Sequence, residues 1–398
     1  MSARCVATMF YSVSDSAVFP SNDALALLEQ TYSPEIDPDA LNAKLRKAGH
    51  APGVIVEVVN QVALRQNARQ KLGPLADSLL LNRQGLEQAS RFDVAKYHAR
   101  KLSSLGSVTD LGCGLGVDSI AFAESGSAVV AVEKEEVTAK FASHNLARFT
   151  SAEVHRSAAE DFDVRTEGVF LDPARRDLGA TGRSRKLLRP DDFSPSISFA
   201  FEQLSTVPGG VKLSPALPHE LVSDRLEATW VSHRGNLVEF SQWSTHPQHF
   251  GKRFAVMIDG ETELKFTGEE FDAEVSSLEE YVYEPDPALI RSHLLGAFAA
   301  DQGLGLLSQG IAYLTGGKRT SPWLRGYKFI AELPLEERAI SSYLSEHGIG
   351  ILEIKKRGVD IDPQLMRKRL KLKGSGAATL IATKVGGARK ALVCEPIR

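Results

Sequence analysis

The stretch VTDLGCGLGVDSIAF, residues 108–122, decides the fold. Val108 to Leu111 is a short apolar run that predicts a buried strand, and Val117 to Ala123 predicts the start of a helix. Between them Gly112, Gly114 and Gly116 predict a tight turn, since glycine lets backbone approach a ligand where any Cβ would collide. A second apolar run, AVVAV (128–132), ends on Glu133. A glycine turn between strand and helix, with an acid at the tip of the next strand, is how doubly wound α/β sheets hold a nucleoside. Glu133 would accept hydrogen bonds from two ribose hydroxyls.

Spacing narrows the ligand further. A dinucleotide fingerprint runs G-x-G-x-x-G, whereas this turn runs G-x-G-x-G, and no Gly-Lys-Ser or Gly-Lys-Thr of a phosphate loop follows it. Asp110 stands on the strand just ahead of the turn. A carboxylate there repels a pyrophosphate and suits a ligand that carries an ammonium group. The hxDxGxGxG form resembles the first motif of the class I S-adenosylmethionine methyltransferases. The resemblance implies that Asp110 lies near the methionine amino end and that Glu133 holds the ribose, with Gly112, Cys113, Gly114 and Gly116 forming the cofactor loop. Many of these enzymes carry an acid for the adenine amine at the position of Ala158. Here Glu160 or Asp161 is the candidate substitute, or a backbone N–H takes its place.

A second motif, GVFLDPARR (168–176), reads as the fourth strand of the same sheet followed by Asp172-Pro173. Ligands in such sheets bind outside the carboxyl ends of the strands, so Asp172 is expected at the same crevice as Gly114 and Glu133. In the resembling family this position carries D/N-P-P-Y/F in enzymes that methylate exocyclic amines of flipped bases. Ala174 and Arg175 replace the second proline and the aromatic ring, which argues against amine methylation and leaves cofactor binding untouched. Arg175 suits a phosphate or stacking on a base. Asp172, Pro173 and Arg175 are the candidate catalytic residues.

Composition bounds the remaining choices. A chain of 398 residues with 43% hydrophobic and 24% charged residues is that of a globular protein of two or three domains. No apolar run approaches the ~20 residues of a membrane span. The start MSARCVATMFYSV is a poor secretory signal, and the expected location is cytoplasmic. Three cysteines at 5, 113 and 394 give neither a disulfide framework nor a metal spacing, so no metal site is expected. Carbon-5 methylation of a pyrimidine needs a thiolate near the fourth strand, and none stands near 172–176.

The net charge of −3 hides segregation. Residues 258–301 carry twelve acids against Lys265 and Arg291, while residues 349–398 carry twelve Lys or Arg against four acids. Another basic cluster follows Asp172, with Arg176, Arg183, Arg185, Lys186 and Arg189 in a long Gly- and Ser-containing loop. Such asymmetry suggests a polyanionic partner. Arg367, Lys368, Lys371 and Lys373 fall in one helix read over 362–373, with Arg367 and Lys371 on one face. Trp323, Arg325 and Tyr327 form an interleaved aromatic–basic patch, read as core more readily than as a base-stacking surface.

The elements assemble into α/β architecture. Residues 1–83 read as an N-terminal helical region, with a further helix over 84–103 leading into the sheet. A seven-stranded doubly wound methyltransferase sheet is expected within 84–256, its strands at 108–111, 128–133, 152–155, 168–171, 209–214, 227–233 and 236–243. An acidic connector spans 257–283 with a hairpin at Asp259-Gly260. The module at 284–398, a small α/β unit with a basic helix, resembles a THUMP-type RNA-binding domain. The combined resemblance implies an S-adenosylmethionine-dependent methyltransferase of RNA, tRNA or rRNA. The alternatives are a protein or anionic small molecule as acceptor, or a non-catalytic RNA-binding protein of this fold.

Overall fold

The computed structural model describes residues 18–175 and 193–397, with backbone alone at 174–175. The chain divides into two compact units, Met1–Val211 and Lys212–Arg398. Among the described residues no helix is long and apolar enough to cross a membrane.

The first unit opens with helices α1 (Asn22–Thr31), α2 (Pro38–Lys47) and α3 (Pro52–Leu72). Asp37 caps α2 by accepting from the Asp39 amide, and Pro38 and Pro52 occupy first turns where no N–H is needed. The helix expected over 84–103 is two helices, α4 (Arg83–Gln88) and α5 (Phe92–Leu102). The break has a packing cause. A Cβ on Gly85 would sit 2.7 Å from Leu115 Cγ, so α4 lies against the glycine turn. Helix α5 instead buries Val94, Ala95, His98 and Leu102, and one straight helix cannot serve both surfaces.

Between α3 and α4 the chain runs extended through Leu79, Leu80 and Leu81, each at most 1% exposed. Buried backbone must find partners, and here they are side chains. Gln61 Nε2 donates to the Leu81 carbonyl and its Oε1 accepts from the Leu81 amide, while Arg65 Nε donates to the Leu79 carbonyl. Asn145 Oδ1 accepts from the Leu80 amide at 2.8 Å, and Nδ2 donates to the carbonyls of Leu80 and Leu115, both at 3.0 Å.

The sheet of this unit contains β1 (Ser107–Leu111), β2 (Ala128–Glu133), β3 (Ala152–Arg156), β4 (Gly168–Leu171) and β7 (Gly209–Leu213). Helices α6 (Val117–Glu124), α7 (Glu136–Leu146) and α8 (Ile197–Thr206) make the crossovers, and a short pair, β5 (Ala174–Arg175) and β6 (Phe193–Ser194), stands apart. The order is β7-β4-β1-β2-β3 and every pairing is parallel. Strand β4 is wholly buried, as parallel strands covered on both faces must be. From β1 the chain steps outward to β2 and β3, then returns to the other side of β1 for β4. That reversal opens a crevice at the carboxyl ends of β1 and β4.

In the second unit β8 (Glu227–His233) pairs antiparallel with β9 (Asn236–Trp243), as expected. Strand β10 (Arg253–Asp259) lies parallel to β8, and β11 (Thr262–Thr267) folds back on it through the hairpin at Asp259-Gly260, adding two strands beyond the expected seven. A second sheet runs in the order β13-β14-β12-β15-β18-β17-β16. Its strands are β12 (Tyr281–Pro285), β13 (Gly305–Ser308), β14 (Ile311–Gly316), β15 (Leu324–Pro334), β16 (Ile349–Lys356), β17 (Gly376–Val385) and β18 (Ala388–Pro396). Helices α9 (Pro287–Arg291) and α10 (Leu295–Gln302) precede β13, and α11 (Glu337–Glu346) and α12 (Pro363–Arg369) flank β16. Leu380 and Val393 join one core cluster with Ile340 and Met366, whereas their neighbours Ile381 and Leu392 join another with Tyr313 and Tyr327. Alternation along β17 and β18 thus fills both faces of this sheet.

Asn145→Ala would strand buried groups of Leu80 and Leu115 at once. We expect urea unfolding to show a loss of about 2–4 kcal/mol; a loss below about 0.5 kcal/mol would mean that Asn145 is not the clamp described.

Candidate active site

Both ends of the crevice follow from register. Leu111 on β1 and Leu171 on β4 are register partners, so the glycine turn and Asp172 leave the sheet side by side. The Asp172 amide donates to the Leu111 carbonyl at 3.4 Å. Gly112, at φ +88°, has its missing Cβ position 3.4 Å from the Asp172 carbonyl oxygen, so any other residue there is strained as well as crowded. The amides of Gly112 and Cys113 donate to the Val132 carbonyl at 2.9 and 3.0 Å, which ties the turn to the tip of β2.

A cleft of about 1110 Å³ opens over this junction. Asp110, Gly112, Cys113, Gly114, Glu133, Glu160 and Asp172 all line it, so the structure brings together residues as far apart in the sequence as Asp110 and Asp172. Gly116 stands behind the turn instead. It adopts φ +81° as the N-cap of α6, and its Cβ position lies 3.4 Å from Leu146. Of the two alternative acids, Glu160 lines the cleft and Asp161 does not. Pro173 continues the chain from Asp172, and Arg175 pairs through its backbone with Phe193. Arg176, Arg183, Arg185 and Lys186 lie outside the described residues.

The two carboxylates of the turn are fixed in place. Asp110 is 1% exposed and accepts from Ser119 Oγ at 2.5 Å. Glu133 accepts from the Gly114 amide at 3.1 Å through one oxygen and from the Glu135 amide at 2.9 Å through the other. Each carboxylate oxygen has two lone-pair directions, so these bonds orient the group while leaving it able to accept more.

Sequence reasoning missed several walls. Asn82, Gln84, Gly85 and Gln88 line the cleft from α4 and its cap, and Ser194 at the end of β6 and Pro195 after it also line it. Asn82 before Arg83 is a readable N-cap, but nothing local says that α4 turns onto the glycine turn. Asp118, in the first turn of α6, also lines the cleft and lies 2.7 Å from Nδ1 of the wholly buried His98.

On the second unit the structure redistributes the basic residues. Helix α12 ends at Arg369, and Lys371 adopts φ +46°, so Arg367 and Lys371 do not form one helical row. Burying Leu370 before the turn into β17 forces that ending. The Arg367 guanidinium donates to the Leu352 carbonyl, and Arg369 pairs with Glu337 at 3.0 Å. Lys368, Lys371 and Lys373 are exposed. Lys355 is paired with Glu284 at 2.5 Å, so part of the charge segregation is neutralised internally. Trp323 and Tyr327 are buried and belong to the core.

Cys113 lines the cleft yet is chemically quiet. Burial pushes its thiol well above the ordinary value, and the Asp110 and Glu133 carboxylates push it further. Burial also pushes Cys394 up to about 12. A raised thiol pKa keeps the proton on sulfur at pH 8, so neither should react with iodoacetamide in the native protein and both should react in denaturant. Mass spectrometry of labelled peptides checks this, and fast native labelling of Cys113 would contradict the described burial.

Comparison with known proteins agrees with the geometry. The family model described as THUMP domain-like matches residues 324–396, which span β15 to β18. Uncharacterized S-adenosylmethionine-dependent methyltransferases from two strains of Mycobacterium tuberculosis are each 31% identical over 355 residues, covering 86% of this chain and 97% of the relative. The crystal structure of a candidate methyltransferase from Porphyromonas gingivalis W83 shares the fold at 23% identity, with a TM-score of 0.75 over 95% of this chain and 99% of that one. Over nearly the full length of its Mycobacterium relatives, the chain belongs to the S-adenosylmethionine-dependent methyltransferases.

Proposed function

We propose that this methyltransferase acts on RNA, at a tRNA or rRNA base, and captures it through its C-terminal module. The observation that carries the reading is the THUMP-like match over 324–396 together with the exposed Lys368, Lys371 and Lys373 at the end of α12. Cations presented on a turn can follow a phosphate backbone and release its counterions.

The cleft fits the cofactor. Among the described residues, no atom outside its immediate chain neighbours lies within 4 Å of the Cβ position of Gly114, which leaves bare backbone at the turn for a nucleoside. Asp110 supplies a buried carboxylate suited to the amino end, and Glu133 one suited to a ribose diol. Gly112, Cys113 and Gly116 shape the turn that carries them, and Glu160 is the acid available to the adenine side. When bound, S-adenosylmethionine supplies an electrophilic methyl group on a sulfonium. The chain's own task is alignment, which can supply most of the rate of such a displacement. Asp172, at the carboxyl end of β4, accepts a hydrogen bond from the acceptor nucleophile and orients it. Pro173 fixes the turn behind it, and Arg175 and Arg176 meet phosphate. A target base inside a helix must be flipped out to reach this position.

The test is transfer of labelled methyl to deproteinised, size-sorted RNA from a strain lacking the protein. Label should enter one size class, and Asp172→Ala should lower it by about 100-fold or more with cofactor affinity unchanged by calorimetry. Replacing Lys368, Lys371 and Lys373 by Glu should weaken RNA binding and flatten its log–log salt dependence by about 2–3. Tight cofactor binding with no label in any RNA would overturn the reading and point to a protein or anionic small-molecule acceptor.

A further inference from the structure

In the second unit, three potential metal ligands converge from separate stretches of chain. Glu227 begins β8, His246 follows β9, and His249 ends the short helical turn Pro247–His249 that leads to β10. The ligand atoms of all three lie within 4.8 Å of one another. Glu227 is 0% exposed, and its Oε2 lies 2.7 Å from His249 Nδ1. The rings of His246 and His249 are stacked, with centroids 5.3 Å apart.

We propose that Glu227, His246 and His249 bind a zinc ion that clips the ends of β8, β9 and β10 together. Two imidazoles and a carboxylate select zinc or a similar transition ion over magnesium or calcium, which prefer oxygen alone. Zinc bonds of about 2.1 Å place tetrahedral ligands roughly 3.4 Å apart, so side-chain rotations that move the nitrogens of the two partly exposed imidazoles by about 1–1.5 Å close the site. An outer shell already exists. Thr229 Oγ1 donates to Glu227 Oε1 at 3.1 Å and so aims the carboxylate, and Thr245 Oγ1 lies 2.9 Å from His246 Nδ1. Such partners orient ligands before the ion arrives. The partly exposed histidines leave the fourth position to water. A search for metal spacing among cysteines passes over this site because its ligands are histidines and a strand-end glutamate. The site stands in a different unit from the cofactor cleft, so the inference does not rest on the RNA reading.

The full chain, stripped with a chelator, should take up an equimolar amount of zinc in competition with a chromophoric chelator. Cobalt in its place should give the intense visible absorption of a four-coordinate ion. His246→Ala and His249→Ala, both at partly exposed positions, should each weaken zinc by more than about 100-fold, and Thr229→Val by about tenfold. His293→Ala, at a histidine outside the cluster, should leave affinity unchanged. Zinc should raise the melting temperature of the parent chain and not that of the double histidine variant. Absence of equimolar binding overturns the proposal, and so does binding that survives loss of both His246 and His249.

Discussion

A backbone segment buried without a strand beside it must draw its hydrogen bonds from side chains, and Leu79–Leu81 draws them from Gln61, Arg65 and Asn145. Two of these lie on α3 and the third on α7. Asn145 also holds the Leu115 carbonyl in the glycine turn. The N-terminal helices, the crossover helix and the glycine turn therefore form one hydrogen-bonded body. Helix α4 begins immediately after this segment, so its arrival over the cleft is determined by where Leu79–Leu81 is pinned. An unsatisfied amide in so dry a place costs about 1–3 kcal/mol, which makes an alternative path for the chain expensive.

The cleft has a second constraint, set by the sheet. The chain reverses between β1 and β4, and the register Leu111↔Leu171 puts Gly112 and Asp172 at adjacent strand ends. The turn then closes on itself through the Val132 carbonyl and the Glu133 carboxylate. Acids from β1, β2 and the end of β4 thereby face one volume.

The parts of the fold legible in the sequence were those with local causes. The strand at 108–111, the glycines after it and the acid at 133 are a contiguous chemical pattern, and the helix starts at Asp37-Pro38 and Pro52 depend on a residue and its immediate neighbours. The break at 89–91 was not legible, because it depends on Gly85 meeting Leu115 across the fold. Nor was the end of α12, where the burial of Leu370 outweighs the helical preference of the lysines around it. Strands β13 and β14 are short and apolar, and such runs have the same composition as buried helix. At the site, the residues on strand ends were found and those arriving from α4 were not.

The thiol of Cys113 has a consequence for an enzyme that holds an alkylating agent. A thiolate is the strongest nucleophile a protein offers, and one in the wall of this cleft would compete with the intended acceptor for the methyl group. Burial and the two neighbouring carboxylates keep that sulfur protonated. The acids that line the cleft thus also protect it from self-alkylation, and a cysteine at 113 is tolerated in its wall because the reactivity of the thiol is suppressed.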